Sequence, residues 1–131
     1  MRYARRHCGR RSLSERGRSA AVERLRHMAE AAEAIAGYVT RGRSSFDSDP
    51  AIRDAILYQI IVLGEAAKAA LAADPSLERS YPAIDWSPVA RMRDRVAHHY
   101  WATDREIVWA TASDAVPALR RAVGEALAAL G

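Results

Sequence analysis

The stretch DPAIRDAILYQIIVLGEAAKAALAADP, Asp49 to Pro75, decides the fold class. Asp49 followed by Pro50 is a helix start: a carboxylate to cap the free N–H groups, then a ring whose φ is already helical. The pattern runs to about Ala73 and stops before Pro75. Ile56, Ile60, Leu63, Ala67 and Leu71 form one stripe at spacings of three and four, while Leu57, Ile61 and Val62 lie off it. A helix apolar over so much of its girth is expected to be covered on two sides, by its own domain and by a second subunit. Gln59, Glu65 and Lys68 interrupt its most apolar part, Ala55 to Ala73. It makes a poor membrane span, and a soluble, cytoplasmic protein with no membrane partner is expected.

Outward from this helix the chain reads as helical in both directions. Val22, Leu25, Ala29, Ala32, Ile35 or Ala36, and Val39 predict a helix over roughly Ala20 to Thr40. Gly42 suits its C-terminal stop, and RGRSSFDSD, residues 41–49, reads as a loop. After the central helix, PSLERSYPAIDW (75–86) reads as a connector with room for one short helical turn. Ser87 and Pro88 then start a third long helix in the same style. Thr103 and Glu106 have the spacing of a capping box and open a fourth, with Val108, Ala112, Val116, Leu119, Val123 and Leu127 on its apolar face. Pro117 should kink or split that helix near Asp114. No stretch alternates with period two. The expected fold is all-α, an antiparallel up-down bundle of about four main helices in one domain, residues 19–131.

Composition agrees and limits the function classes. The chain has 131 residues, half of them apolar and 27% charged, enough for one core. Its net charge of +4 is unevenly spread. Residues 1–18 hold seven arginines against Glu15, a local balance of +6, which leaves the rest near neutral at −2. That segment reads as a basic, disordered extension or a start codon placed too early. Cys8 is the sole cysteine, so no intrachain disulfide and no cysteine-based metal site is available.

The stretch RMRDRVAHHYW, Arg91 to Trp101, carries the chemistry. On a helical wheel Met92 and Val96 face the core, and Arg93 falls on the same side. A buried, unpaired charge is costly, so Arg93 should have a strong partner, a carboxylate or a bound phosphate. Asp94 and His98 are four residues apart, and the carboxylate can orient the imidazole. Yet His98 lies about 140° round the helix from Arg93. Either the helix ends or distorts near Ala97, or a second copy completes the site.

The order of residues in RDRVAHHY (Arg93, four residues, His98, one residue, Tyr100) resembles the signature of the HEPN superfamily. The tyrosine narrows the resemblance to HepT-like toxins. The Gly-Glu-Ala-Ala element at Gly64 to Ala67, YPAIDWSPVARMRD (81–94) and DREIVWATASDAVPAL (104–119) extend it over about Val22 to Leu119. The resemblance implies an all-helical, metal-independent endoribonuclease without a cofactor. It implies a homodimer whose two motifs face one cleft, and a partner, an MntA-like nucleotidyltransferase that acts as antitoxin. Arg93 and His98 take the catalytic positions and Tyr100 the position onto which the antitoxin transfers AMP, as in a type VII-like toxin–antitoxin pair. Asp94 stands where relatives often have asparagine; a carboxylate there repels substrate somewhat.

The side chains suit that chemistry. RNA brings its own nucleophile, the 2′-hydroxyl, so the protein must supply a base, an acid and charge stabilisation. Imidazole titrates near neutrality and serves as base or acid. A guanidinium holds two phosphate oxygens at once. Glu65 is expected to support the site by pairing with Arg93 or another arginine, as a structural ion pair and not as a catalyst. Trp86, Trp101 and Trp109 read as packing residues, and His27 as a boundary residue. The competing reading is a non-catalytic helical subunit that docks a nucleotidyltransferase or binds a nucleotide.

Overall fold

A computed structural model describes residues 12–99 and 104–131. Most of the expected basic extension, with Cys8, lies outside the described residues, as do Tyr100, Trp101 and Thr103. Among the described residues seven α-helices follow in order: α1 (Leu13–Val39), α2 (Arg43–Ser48), α3 (Pro50–Ala73), α4 (Leu77–Ser80), α5 (Trp86–His99), α6 (Arg105–Ala110) and α7 (Val116–Leu130). A π-helical turn, Thr111–Ala115, joins the last two. There is no strand among the described residues. The four long segments form the expected helical bundle, with α3 packed between α1 and α5 and α1 also packed on α7.

The caps decide where the helices begin. Asp49 Oδ1 accepts from the Ala51 N–H at 2.9 Å with Pro50 in the first turn, as the Asp-Pro signal predicts. α1 begins seven residues before the expected Ala20. Ser12 Oγ accepts from the Glu15 N–H at 3.1 Å and the Ser12 N–H donates back to Glu15 at 3.3 Å, a complete capping box. Of the box expected at Thr103 and Glu106, Thr103 lies outside the described residues; Asp104 caps α6, accepting from the Glu106 N–H at 2.8 Å. α5 begins at Trp86, so Ser87 lies inside the helix and not at its cap. Gly42 adopts φ +90°, the left-handed conformation that ends α1 without a Cβ penalty.

The core is one cluster whose fully buried large side chains include Leu25, Met28, Ile35, Phe46, Ile56, Leu77, Ile84, Val96, Val116 and Val123. On α3 the stripe Ile52, Ile56, Ile60, Leu63, Ala67 and Ala70 faces this core. α3 is long and apolar enough to cross a membrane by length and composition, and 39% of its most apolar window is buried inside the bundle. On α1 the buried face is Ala21, Leu25, Met28, Ala32 and Ile35, rotated from the expected one; Val22, Ala29 and Val39 are only partly buried.

Two places depart from the sequence expectation for stated reasons. The segment expected as a loop contains the helix α2, held by tertiary contacts: Phe46 is buried against Trp109, ring centroids 5.1 Å apart, and Arg43 pairs with Glu106 of α6. Near Pro117 the helix does not simply break. Proline has no N–H and its ring crowds the carbonyl four residues back, at Ser113. The π turn at Thr111–Ala115 absorbs the mismatch. The hydroxyls of Thr111 and Ser113 donate to the carbonyls of Ile107 and Trp109, at 2.8 Å and 2.7 Å.

Candidate functional site

The site lies where α3 crosses α5, and a glycine sets how closely they approach. A Cβ built on Gly64 would lie 2.2 Å from Arg93 Cβ, 2.6 Å from Arg93 Cγ and 3.3 Å from the Val89 carbonyl oxygen. Only a residue without a side chain lets the stem of Arg93 pass. The arginine is thereby laid across α3, with 24% of its side chain exposed.

Its guanidinium is held by carboxylates from both helices. Nε lies 2.5 Å from Glu65 Oε1, a charge contact whose angle falls outside hydrogen-bond geometry. Nη1 donates to Asp94 Oδ1 at 3.0 Å. The partner expected for an arginine on an apolar face is therefore Glu65, one residue along from the glycine, with Asp94 beside it. The same Asp94 oxygen accepts from Lys68 Nζ at 2.7 Å. Nothing in the sequence points to Lys68, since a pair 26 residues apart leaves no local signal. Glu65, Arg93, Asp94 and Lys68 thus alternate in sign along one ion-pair chain, three of them roughly half exposed.

Lys68, then Arg93, holds the Asp94 carboxyl below its ordinary value. A depressed carboxyl contributes stability above its unfolded pKa and loses it as pH falls through the folded one. The cross-helix pair is therefore present at neutral pH and lost only in acid. Asp94 was expected to orient His98, four residues on. Its partners among the described residues are instead Lys68 and Arg93, because α3 supplies a lysine at that edge of α5.

His98 is exposed near the end of α5, which stays helical through Ala97 to His99. No distortion at Ala97 brings it round to Arg93. Within one chain the two motif residues point in different directions, Arg93 onto α3 and His98 outward. Beside them the outer face of α3 is largely apolar: Leu57, Tyr58 and Ile61, with Asp54 at the edge, line a shallow depression with Val96 and Ala97 of α5. Tyr58 is 63% exposed.

A second charged cluster fixes the helix that follows the motif. Arg43 pairs with Glu106 of α6 through both terminal nitrogens and with Asp47 through Nε. Its guanidinium also lies 5.8 Å from the Phe46 ring centre and 5.9 Å from that of Trp109. Glu106 first and Asp47 second raise the Arg43 pKa, and Arg43 lowers that of Glu106. The cluster ties α2 to α6. Trp109 packs here on Phe46, Trp86 is buried in the core and His27 is half-buried on α1, as expected for packing and boundary residues.

Comparison with known proteins identifies the family of the chain. The family model described as "Ribonuclease HepT-like" matches residues 28–126, a span that holds Glu65, Lys68, Arg93, Asp94 and His98. Over 97 residues the chain is 30% identical to "Probable ribonuclease HepT" of Thermococcus cleftensis, covering 73% of this chain and 86% of that protein. It is 35% identical over 72 residues to a Methanocaldococcus jannaschii protein whose curated name marks it as a candidate RNase, covering 55% of this chain and 57% of that one. A Caldanaerobacter subterraneus protein with a name of the same kind is 28% identical over 82 residues, 63% of this chain and 70% of its own length. No solved structure matches the chain. With most of the bundle and the whole ion-pair chain inside the matched span, the chain belongs to the HepT-like ribonuclease family.

Proposed function

We propose that this protein is a metal-independent endoribonuclease toxin that cuts RNA by attack of the 2′-hydroxyl on the adjacent phosphate. The observation that carries the reading is Arg93, laid across α3 at Gly64 and kept partly exposed on the helix that also carries the outward-facing His98. His98 takes the proton from the 2′-hydroxyl as the O–P bond forms. Arg93 holds the non-bridging oxygens as charge builds on them. A second imidazole, His98 of another copy, gives a proton to the departing 5′-oxygen, leaving a 2′,3′-cyclic phosphate. The wild-type protein is expected to cut single-stranded RNA in EDTA and leave cyclic phosphate ends, read by end-group analysis. Intact RNA and no growth arrest on expression would favour the non-catalytic subunit instead.

The active form is a homodimer assembled through the outer face of α3. Two facts support this: His98 and Arg93 diverge within one chain, and Leu57, Tyr58, Ile61 and Ala97, with Asp54 at the edge, form a largely apolar surface on the side of the motif. Exposed apolar patches of this kind mark association surfaces. Tyr58→Glu is expected to shift the protein from dimer to monomer in sedimentation and to lose cleavage in parallel. A stable dimer with full activity would reject this face.

The partner is a nucleotidyltransferase antitoxin of the MntA type, and its target is Tyr100, two residues past His98. An AMP group there adds bulk and a phosphate charge that repels RNA and competes for Arg93. Co-expression with the nucleotidyltransferase should add the mass of AMP to the peptide containing Tyr100, and Tyr100→Phe should abolish the addition. Unmodified Tyr100 in a neutralised toxin would exclude this mode of control.

A further inference from the structure

Two cations converge on a single oxygen of the motif. Lys68 Nζ and Arg93 Nη1 donate to Asp94 Oδ1 at 2.7 Å and 3.0 Å, one from α3 and one from α5. An ammonium and a guanidinium aimed at one anionic oxygen is the arrangement that binds a phosphate oxygen. The carboxylate that fills it belongs to the protein itself. Lys68 and Asp94 are 42% and 48% exposed and Arg93 is 24% exposed, so a ligand can reach the place of that oxygen.

From this convergence we infer that Lys68 is a second phosphate-contacting residue of the ribonuclease site. In the free protein Asp94 Oδ1 occupies the place of a substrate's non-bridging oxygen. RNA binding then exchanges one anion for another: the phosphate takes the donors of Lys68 and Arg93, and Asp94 turns out to water. The register along α3 supports the role. Tyr58, Ile61, Glu65 and Lys68 follow at spacings of three, four and three, so they share one face, apolar in its first half and charged in its second. Lys68 therefore lies beyond Glu65 on the face that carries the arginine's anchor. The inference rests on reading Arg93 as the phosphate ligand. It adds a residue that the signature of motif arginine and histidine does not contain.

The test is equilibrium binding of a single-stranded RNA oligonucleotide with 2′-O-methyl groups, which cannot supply the nucleophile, at several salt concentrations. Wild type, Lys68→Met, Lys68→Arg, Asp94→Asn and the Lys68→Met/Asp94→Asn double variant are compared, with thermal melts as a control of folding. Lys68→Met should weaken binding roughly tenfold, the scale of one charge-assisted hydrogen bond. It should also flatten the slope of log K against log salt by about 0.7, the share of one neutralised phosphate on a single strand. Lys68→Arg should keep both, and Asp94→Asn should bind more tightly than wild type. The deciding arm is the double variant. If Lys68 touches phosphate, its loss costs at least as much in the Asp94→Asn background, where no carboxylate competes for it. If it merely neutralises Asp94, the cost and the change of slope vanish there, and the inference is overturned while Arg93 keeps its role. Equal binding by wild type and Arg93→Ala would overturn the reading of the site itself.

Discussion

His98→Ala is expected to slow RNA cleavage by roughly 10²–10⁴-fold, the range lost when a positioned general base or acid is removed. Substrate binding should change little, because an exposed imidazole that moves protons contributes mainly in the transition state. Arg93→Ala should lower cleavage on a comparable scale and also weaken binding, since a guanidinium contacts the phosphate before and during reaction. The two variants therefore separate in a plot of kcat against KM. Arg93→Lys should recover only part of the loss, because an ammonium keeps the charge but not the two-oxygen grip. In cells, expression of the wild-type chain should arrest growth and both alanine variants should not. A His98→Ala protein that cuts RNA at the wild-type rate would remove the histidine from the mechanism. One that neither cuts nor folds would be recognised by its melting curve. His98 is exposed at the end of α5, so its replacement should leave that curve unchanged.

What was legible in the sequence follows from how local each signal is. The Asp49–Pro50 start and the Gly42 stop depend on neighbouring residues alone, and both are found where the pattern puts them. The need of Arg93 for a carboxylate also followed from local facts, an apolar helix face and the cost of an unpaired charge. The identity of that carboxylate required the crossing of α3 and α5. Lys68 and the Arg43–Glu106 pair depend wholly on which helices meet, so the first was missed and α2 was expected as a loop. The early start of α1 is a different kind of miss. Its signal, Ser12 and Glu15 three apart, was present but was outweighed by the arginine-rich composition around it. The orientation of His98 relative to Arg93 stayed open because one chain does not hold the answer; a straight helix through Ala97 leaves the second copy as the proposed completion.

Gly64→Ala should be strongly damaging, against its own helix propensity. Alanine is worth about 1 kcal/mol more than glycine within a helix, so the substitution would stabilise an isolated α3. Here the added Cβ meets Arg93 Cβ at 2.2 Å and Cγ at 2.6 Å, the base of a side chain and not its flexible end. Relief requires α5 to move away from α3. Overpacking of this kind costs roughly 1–3 kcal/mol, enough to cancel the propensity gain and lower Tm by several degrees. Activity should fall further than stability. The displaced helix carries Arg93 away from Glu65 and Asp94 away from Lys68, and misplacement of about 1 Å in a positioned group can cost on the order of 100-fold. Gly124→Ala in α7 supplies the internal comparison. Its Cβ would meet nothing within 4 Å, so there the propensity gain stands alone and Tm should rise. Opposite shifts for two glycine-to-alanine changes in helix interiors would isolate the helix crossing as the cause. Equal stabilisation by both, with cleavage intact at Gly64→Ala, would mean that the approach of α3 to α5 does not position the arginine.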